Sequence, residues 1–316
     1  MVTHEFTRLL QAGIGRTTYF LAVLGLLLLA LSACVTQPPP KEAGVDVLLS
    51  SDSPEYLQIA AHVGRQIPAT MYRLTGIKDK DDHISALLRR SEHAQIIAVG
   101  FSAVNRAKDI PEKKVIFCQV FNYESLGLAS SRTLGVSALP PSYRAFKIWK
   151  AIDPSLRRVG VVTGPNVLAT INLIKQDALR NGIELEHAVV ESDKELVFAF
   201  EKLSPQVQGF WLLPDNRILS QQVIQELMLA GFRQGKQLMV FTPAMLELGA
   251  LLSVKPVAEE IAQTVTSIAQ QDQSIRTRSG SQVIPLNRID VKINKKVADQ
   301  FGLSIPGPLQ RLIYAP

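Results

Sequence analysis

Cysteine is almost absent from this sequence, which contains only Cys34 and Cys118 in 316 residues. One of the two lies in the N-terminal leader described below, so disulfides within the folded body are excluded and an apolar core has to stabilise it. Cys118 lies in an apolar run, residues 115–120. We therefore expect a buried packing residue at Cys118 and not a reactive thiol.

Patterns typical of catalysis and of metal binding are also absent from the sequence. The five histidines are scattered and show no metal-ligand spacing. No Gly-x-Ser-x-Gly motif and no phosphate-binding Gly-x-x-x-x-Gly-Lys motif occurs. The sequence predicts no catalytic residue, no metal and no cofactor, which favours a binding protein over an enzyme.

Neither the basic nor the acidic residues are concentrated in one part of the chain. The sequence has 34 lysines and arginines against 28 acidic residues, for a formal net charge of +6. A nucleic-acid-binding protein would gather its basic residues on one face, with aromatic residues between them. We therefore expect a solvated basic surface and no nucleic-acid partner.

Residues 1–33 have the form of a secretory signal peptide. Arg8 and Arg16 precede an apolar run over residues 19–31, which is short for a membrane span. Leu31-Ser32-Ala33-Cys34 follows and resembles a bacterial lipoprotein lipobox. The resemblance implies cleavage before Cys34 and lipidation of Cys34, which would anchor the protein stably in a membrane. The alternative is an uncleaved N-terminal anchor.

Residues 34–44 are rich in proline and are predicted to form a stiff tether that cannot build a core. We expect the folded body to lie on the periplasmic face of the cell envelope, held there by the lipid. The residue after Cys34 is Val35 and not an aspartate. In a Gram-negative cell this favours the outer over the inner membrane.

The body alternates short apolar runs with helical stretches. This alternation predicts an α/β fold with two doubly wound parallel-sheet domains, because parallel strands are buried on both faces. We predict strands at residues 45–49, 70–74, 95–99, 115–120, 159–163, 183–190, 209–213, 238–241 and 251–254. The stretch 134–166 is interpreted as the passage from one domain to the next; the alternative is a linker inside one large domain.

Turn and cap residues predict where several helices begin and end. We expect Ser142 to cap a helix that carries Phe146 and Trp149. Another helix is predicted over residues 218–230 and is closed by Gly231.

Ligands of open parallel sheets bind beyond the carboxyl ends of the strands. Small hydroxyls, amides, a carboxylate and aromatic rings follow the predicted strands, and they are the candidate ligand-binding residues: Ser51, Phe101, Ser102, Asn122, Tyr123, Asn166, Asp215, Asn216 and Thr242. Asp215 can pair with a ligand ammonium, whereas Phe101 and Tyr123 can stack on an apolar group. The alternative role for the polar members is helix capping.

Several motifs follow one another in order along the chain: Gly135-Val136-Ser137 through Leu139-Pro140, Val159-Gly160-Val161-Val162, Asn166, Pro214-Asp215-Asn216, residues 248–253 and residues 297–306. Together they resemble the ABC-transporter substrate-binding family of the type 1 periplasmic-binding-protein fold, which includes aromatic-amino-acid binders. The pattern before Val136 and after the first strand departs from the family. Asn166 and Asp215 are therefore the site residues that lie on matching motifs.

The resemblance implies two domains joined by a three-strand hinge and closing on a small-molecule ligand for an ABC permease. By this analogy the chain crosses near Leu139, returns near Val254 and crosses again near Ser281. The first domain then comprises residues 45–138 plus 254–280, and the second residues 139–253 plus 281–316. The ligand would be amino-acid-like or a small carboxylate. The alternative is a non-transport sensor or scaffold lipoprotein that regulates an envelope partner.

The Cys34→Ser variant tests the lipoprotein interpretation. Because the lipobox cysteine is the acylated residue, we expect the variant to accumulate as unprocessed precursor, visible by immunoblot and by mass spectrometry of the N-terminus. Ala33→Gly, which keeps a small residue before the cysteine, serves as the control. Normal cleavage and membrane retention of Cys34→Ser would contradict the interpretation.

Overall fold

Two parallel sheets, each flanked by its own helices, make up the folded body. The structure is a computed structural model and describes residues 44–128, 133–271 and 283–315. The predicted lipobox, signal peptide and most of the tether lie outside the described residues. We call the body around the first sheet the first lobe and the body around the second sheet the second lobe.

The first sheet contains six strands, in the order β11-β5-β4-β3-β1-β2, and every pair is parallel. Its strands are β1 (Val45–Leu49), β2 (Ala69–Arg73), β3 (Gln95–Val99), β4 (Lys114–Cys118), β5 (Thr133–Val136) and β11 (Val283–Ile284). Its helices are α1 (Pro54–Gly64), α2 (Lys78–Arg90), α3 (Phe101–Ala107) and α8 (Ala258–Gln270).

The second sheet has the order β12-β10-β9-β8-β6-β7 and is parallel except for the antiparallel pair of β10 and β12. Its strands are β6 (Arg158–Thr163), β7 (Glu184–Val189), β8 (Gly209–Trp211), β9 (Gln237–Val240), β10 (Leu252–Pro256) and β12 (Ile289–Ile293). Its helices are α4 (Ser142–Ile152), α5 (Leu168–Arg180), α6 (Asp193–Leu203), α7 (Gln221–Arg233) and α9 (Lys295–Gln300). The two mostly parallel α/β sheets confirm the predicted fold class.

Two predicted helix boundaries are wrong. Helix α7 begins at Gln221 and not at residue 218, because the Ser220 hydroxyl accepts a hydrogen bond from the Val223 N–H and caps the helix. Gly231 does not close it: a Cβ there would lie 2.8 Å from Leu238 Cδ1, so the glycine lets the helix approach β9. The helix ends at Arg233, and Gly235 with φ +62° makes the turn.

Ser142 is the first residue of α4 and not its cap. Pro141 precedes the helix, and the Ser142 hydroxyl donates a hydrogen bond to Asp177 Oδ2 on α5. The Tyr143 N–H donates to the same oxygen at 3.2 Å. A carboxylate from the neighbouring helix therefore satisfies the start of α4, which sequence spacing alone does not indicate.

Three connections join the sheets. The first lies between β5 and α4, around Leu139, and the second leads from Pro256 at the end of β10 into α8. The third follows Ile284 and reaches β12 at Ile289, so the chain crosses after Ile284, several residues later than the expected position near Ser281. Ser281 itself lies outside the described residues.

Each sheet is buried against its helices by a separate set of apolar side chains. In the first lobe, Val47 and Ile97 of the sheet pack in one cluster with Ile59 of α1 and Val265 of α8. In the second lobe, the rings of Phe146 and Trp211 meet edge to face with centroids 5.3 Å apart. Each lobe therefore has a core of its own, and the second core lies next to the first connection through Leu139.

A series of hydrogen bonds joins buried polar side chains of the second lobe. Trp149 Nε1 donates to Gln237 Oε1 at 2.7 Å, and Gln237 Nε2 donates to Asp153 Oδ2 at 2.6 Å. Burial alone would raise the pKa of the Asp153 carboxyl. Hydrogen bonds from Ser155 and Gln237 lower it by more, so the pKa lies below its usual value. Gln237 thus connects helix α4 to strand β9.

Gln237→Leu is expected to destabilise the fold, because it leaves the Trp149 N–H and an Asp153 oxygen without their buried partner. Each such group costs about 1–3 kcal/mol, so the free energy of unfolding should fall by about 2–4 kcal/mol in urea denaturation at neutral pH. Gln206→Leu, at an exposed position with one 3.4 Å bond, should change little.

The pH dependence provides a second measurement. A carboxyl with a lowered folded-state pKa stabilises the fold above its unfolded pKa, and this contribution is lost as the pH falls through the folded-state pKa. The difference between the wild type and Gln237→Leu should therefore narrow below about pH 4. A difference that is constant down to pH 2 would contradict the role given to Asp153.

Candidate functional site

The carboxyl ends of the parallel strands of both sheets border a cleft between the lobes. At its hinge end lies a cavity of about 60 Å³. Polar side chains from the first lobe and the second connection line it together with apolar side chains from the ends of β8 and β9: Glu55, Gln58, Gln119, Lys255, Trp211, Pro214 and Phe241. A cavity of this size holds a few water molecules, so a larger solute can enter only if the lobes move apart.

Gln119 has a strained backbone at this cavity. Its φ of +59° is left-handed, a region that residues with a Cβ seldom adopt. It directly follows β4 and lines the cavity opposite the second lobe. Strain of this kind costs about 1–3 kcal/mol and is concentrated at functional sites. No pattern in the sequence pointed to Gln119, because glutamine is not a residue typical of left-handed turns.

Asn166 is the counterpart of Gln119 in the second lobe. It follows β6, is exposed, and has φ +61°. These two are the non-glycine residues with positive φ within the described ranges, and each follows a strand that points at the cleft. Asparagine tolerates this conformation better than glutamine. Asn166 is not among the residues that line the hinge cavity, and its role as a ligand contact stays a prediction.

Asp215 is fully buried and its carboxylate is occupied by its own chain. Oδ1 accepts from Arg217 Nε at 2.8 Å, and Oδ2 accepts from Arg217 Nη2 at 2.7 Å and from the Gly164 N–H at 2.8 Å. Arg217 Nη1 donates to the Pro165 carbonyl at 2.6 Å. The arginine thus takes the place that the sequence analysis gave to a ligand ammonium, and Asp215 holds the turns after β6 and β8 together.

The first lobe reaches the second through Tyr123 and Glu124. The Tyr123 hydroxyl interacts with the side chains of Thr170 on α5 and of Glu124. Burial and the Glu124 charge raise the pKa of Tyr123. Burial also raises the pKa of Glu124, although the Tyr123 hydroxyl and the charge of Arg217 act in the opposite direction. Tyr123 therefore connects the first lobe to α5 of the second, and its role as a ligand contact stays a prediction.

The remaining predicted residues fall into two groups. Asn122 is buried, and its side-chain nitrogen finds no hydrogen-bond partner among the described residues. The others are partly or fully exposed at strand ends: Ser51, Phe101, Ser102, Asn216 and Thr242. Phe101 and Ser102 border a second, polar groove between α2 and α3, which separates them from the cavity at the hinge.

Ser50 is a residue that the sequence analysis did not select. Its hydroxyl accepts the Ala103 N–H at 2.9 Å, so it caps α3 from a neighbouring strand. Gly100, with φ +87°, lies against it, since a Cβ there would come within 2.7 Å of both the Ser50 Oγ and the Tyr56 hydroxyl oxygen. The close approach fixes the loop after β3 at the edge of the cleft.

The described residues offer neither a metal site nor a reactive thiol. They contain no group of three histidine, cysteine or acidic side chains able to hold a metal ion. Cys118 is buried, as predicted, and burial raises the pKa of its thiol to about 12. None of the helices within those residues is sufficiently long and apolar to cross a membrane.

Comparison of the sequence with family models shows which family the chain belongs to. The model described as ABC transporter substrate binding protein matches residues 122–312, which is more than half of the chain. The chain belongs to the ABC transporter substrate binding protein family. Family and fold are therefore those of substrate-binding proteins and not of enzymes. Comparison with curated protein sequences gave no match.

Several solved structures share the fold of this family member. An ABC domain from Streptococcus pneumoniae in complex with L-Trp is 18% identical with a TM-score of 0.62, covering 86% of this chain and 99% of its own. A conserved domain protein from Vibrio cholerae has a TM-score of 0.61 at 18% identity, with coverage of 86% and 99%. A ligand-free, open substrate-binding protein with adhesive properties from Clostridium difficile has a TM-score of 0.61 at 13% identity, with coverage of 86% and 98%.

Asp215→Asn is expected to lower stability even without a ligand, because it removes the charge that Arg217 is bonded to. Losing charge-assisted hydrogen bonds should reduce the free energy of unfolding by roughly 1–3 kcal/mol, measured by urea denaturation. Asn216→Ala, at the exposed neighbouring position, is the matched control and should change little. An Asp215→Asn protein of unchanged stability would show that the ion pair does not hold these turns.

Proposed function

We propose that the protein is a lipid-anchored extracytoplasmic solute-binding protein that closes on a small ligand and delivers it to the permease of an ABC importer. The observation that carries the proposal is the cleft, where two separately cored lobes direct their strand ends at one cavity lined by both. Family membership supports a permease as the partner. It also supports a place outside the cytoplasm, because substrate-binding proteins of ABC importers work there.

The proposed ligand is amino-acid-like or a small carboxylate. Glu55 and Lys255 place one negative and one positive charge at the cavity, and Trp211 and Phe241 give it an apolar wall. Such a set suits a ligand that carries both charges and an apolar side chain. The Streptococcus pneumoniae structure contains L-Trp, which makes this amino acid the first probe.

The arrangement of the chain is part of the proposal. Residues 1–33 serve as the signal peptide, Cys34 carries the lipid, and residues 34–44 are the tether to the periplasmic face, with the outer membrane favoured. Residues 45–138 plus 254–280 form the first domain and residues 139–253 plus 281–316 the second, apart from β11, which pairs with β5. Tyr123 and Asn166 are the proposed contacts from opposite sides of the cleft.

Thermal-shift measurements test the proposal directly. L-tryptophan, the other amino acids and small carboxylates are added to the purified protein, and a binder should raise the melting temperature, because at a hundredfold excess over Kd it stabilises the fold by about 2.7 kcal/mol. Small-angle scattering should then show a smaller radius of gyration with that compound, as the lobes close.

The cavity itself is tested by a matched pair of variants. Lys255→Met should weaken binding of the identified compound roughly tenfold or more, because a charged hydrogen bond is lost. Lys296→Met, which borders a separate groove on the second lobe, should leave the affinity unchanged. If no compound of either class raises the melting temperature, the transport proposal fails and the sensor or scaffold alternative is favoured.

A further inference from the structure

The second and third connections between the lobes run side by side. The second leaves β10 at Pro256 and enters α8 at Ala258. The third runs from Ile284 to β12, where Ile289 is paired with Pro256 in the antiparallel ladder. The two connections therefore enter the second sheet at the same level, on neighbouring strands.

A single carboxylate ties the third connection to the start of α8. Glu260 Oε1 accepts the Asn287 N–H at 2.8 Å, and Glu260 Oε2 accepts the Arg288 N–H at 2.7 Å. Both oxygens are used, and both donors belong to backbone that a β-ladder does not satisfy. Hydrogen bonds to an ionised acceptor are about twice as strong as neutral ones.

Helix α8 and the third connection are both anchored in the first lobe. Ile261 and Val265 of the helix and Leu286 of the connection are buried in the same first-lobe cluster. Arg288 is thus held to the first lobe, while the next residue, Ile289, already pairs within the second sheet. Little free chain remains in which the lobes can rotate relative to each other.

We propose that Glu260 is a hinge brace, a positioning residue that fixes the pivot of lobe closure at the level of Pro256 and Ile289. By holding Asn287 and Arg288 to α8, it makes the second and third connections turn as one unit, so rotation is confined to the Pro256–Val257 and Arg288–Ile289 bonds. The inference rests on the proposed function only in that a pivot matters for a protein that closes on a ligand.

The test uses the ligand-free, full-length chain and compares Glu260→Ala with Glu259→Ala. Glu259 is the adjacent acid on the same helical turn, but it binds only the Arg288 side chain, at 3.1 Å. In Glu260→Ala we expect the Asn287 and Arg288 amides to exchange hydrogen at least roughly tenfold faster, the loss expected for a charged hydrogen bond. We also expect a larger radius of gyration by small-angle scattering.

Glu259→Ala should leave both the amide exchange and the radius of gyration at their wild-type values. Faster exchange in Glu260→Ala without a change in the radius would overturn the proposal, because the bonds would then be local. Equal effects in both variants would also overturn it, since helix charge and not the two bonds would be responsible. If Glu260→Ala does not fold, Glu260→Gln, which keeps one acceptor oxygen, should show a smaller change of the same sign.

Because neither readout needs a ligand, these results are independent of the thermal-shift screen. A failed screen with an intact brace would refute the proposed transport function and leave the brace standing. A confirmed ligand with no effect of Glu260→Ala would refute the brace alone.

Discussion

The separation of the apolar core into two parts is the constraint on which the rest of the structure depends. Each sheet is covered by its own helices, and within the described residues three short connections pass between the sheets. Because the core residues of the two lobes form largely separate clusters, one lobe can move relative to the other without opening either core. A parallel sheet presents the carboxyl ends of its strands at one edge. Two such edges facing each other create the cleft.

The chemistry of that cleft is shaped by charges that the protein satisfies itself. Asp215 and Arg217 neutralise each other next to Gly164, where a Cβ would lie 2.9 Å from the arginine Cζ. This pair stiffens the two turns of the second lobe but leaves no charge there for a ligand. The charged side chains that line the hinge cavity are Glu55 and Lys255, which come from α1 and β10. Lys255 lies 3.9 Å from Asp290, a longer pair than that of Asp215 and Arg217 at 2.7 Å.

The sequence indicated much of the fold and less of the site. Short apolar runs bounded by turn residues mark strands wherever they are buried on both faces, as in residues 95–99, so the α/β architecture was predictable. The ends of α7 were predicted wrongly for two different reasons. The Ser220 cap is a local hydrogen bond to the Val223 N–H, so its signal was present in the sequence and was missed, whereas the role of Gly231 depends on a helix–strand contact with Leu238.

The same limit applies to the candidate site. The position of Tyr123 and Asn166 after the carboxyl ends of β4 and β6 was predictable, since it depends only on where the strands end. The partner of Asp215 is two residues away in the sequence, and the arginine pairs with it in space that Gly164 leaves open. Gln119 has no sequence signal, because glutamine is not a residue typical of left-handed backbone.

The pairing of β5 with β11 has a consequence for the order in which the chain folds. Strand β5 lies between β4 and β11 in the first sheet, but β11 follows five of the six strands of the second sheet in the chain. Until residues 283–284 have emerged, the backbone groups on that side of β5 have no strand to pair with, and such an edge is prone to pairing with other molecules. The first lobe is therefore completed late, and its native contacts are distant in sequence, which slows folding. A chain that emerges from its N-terminus would need protection of this edge until residues 283–284 have followed.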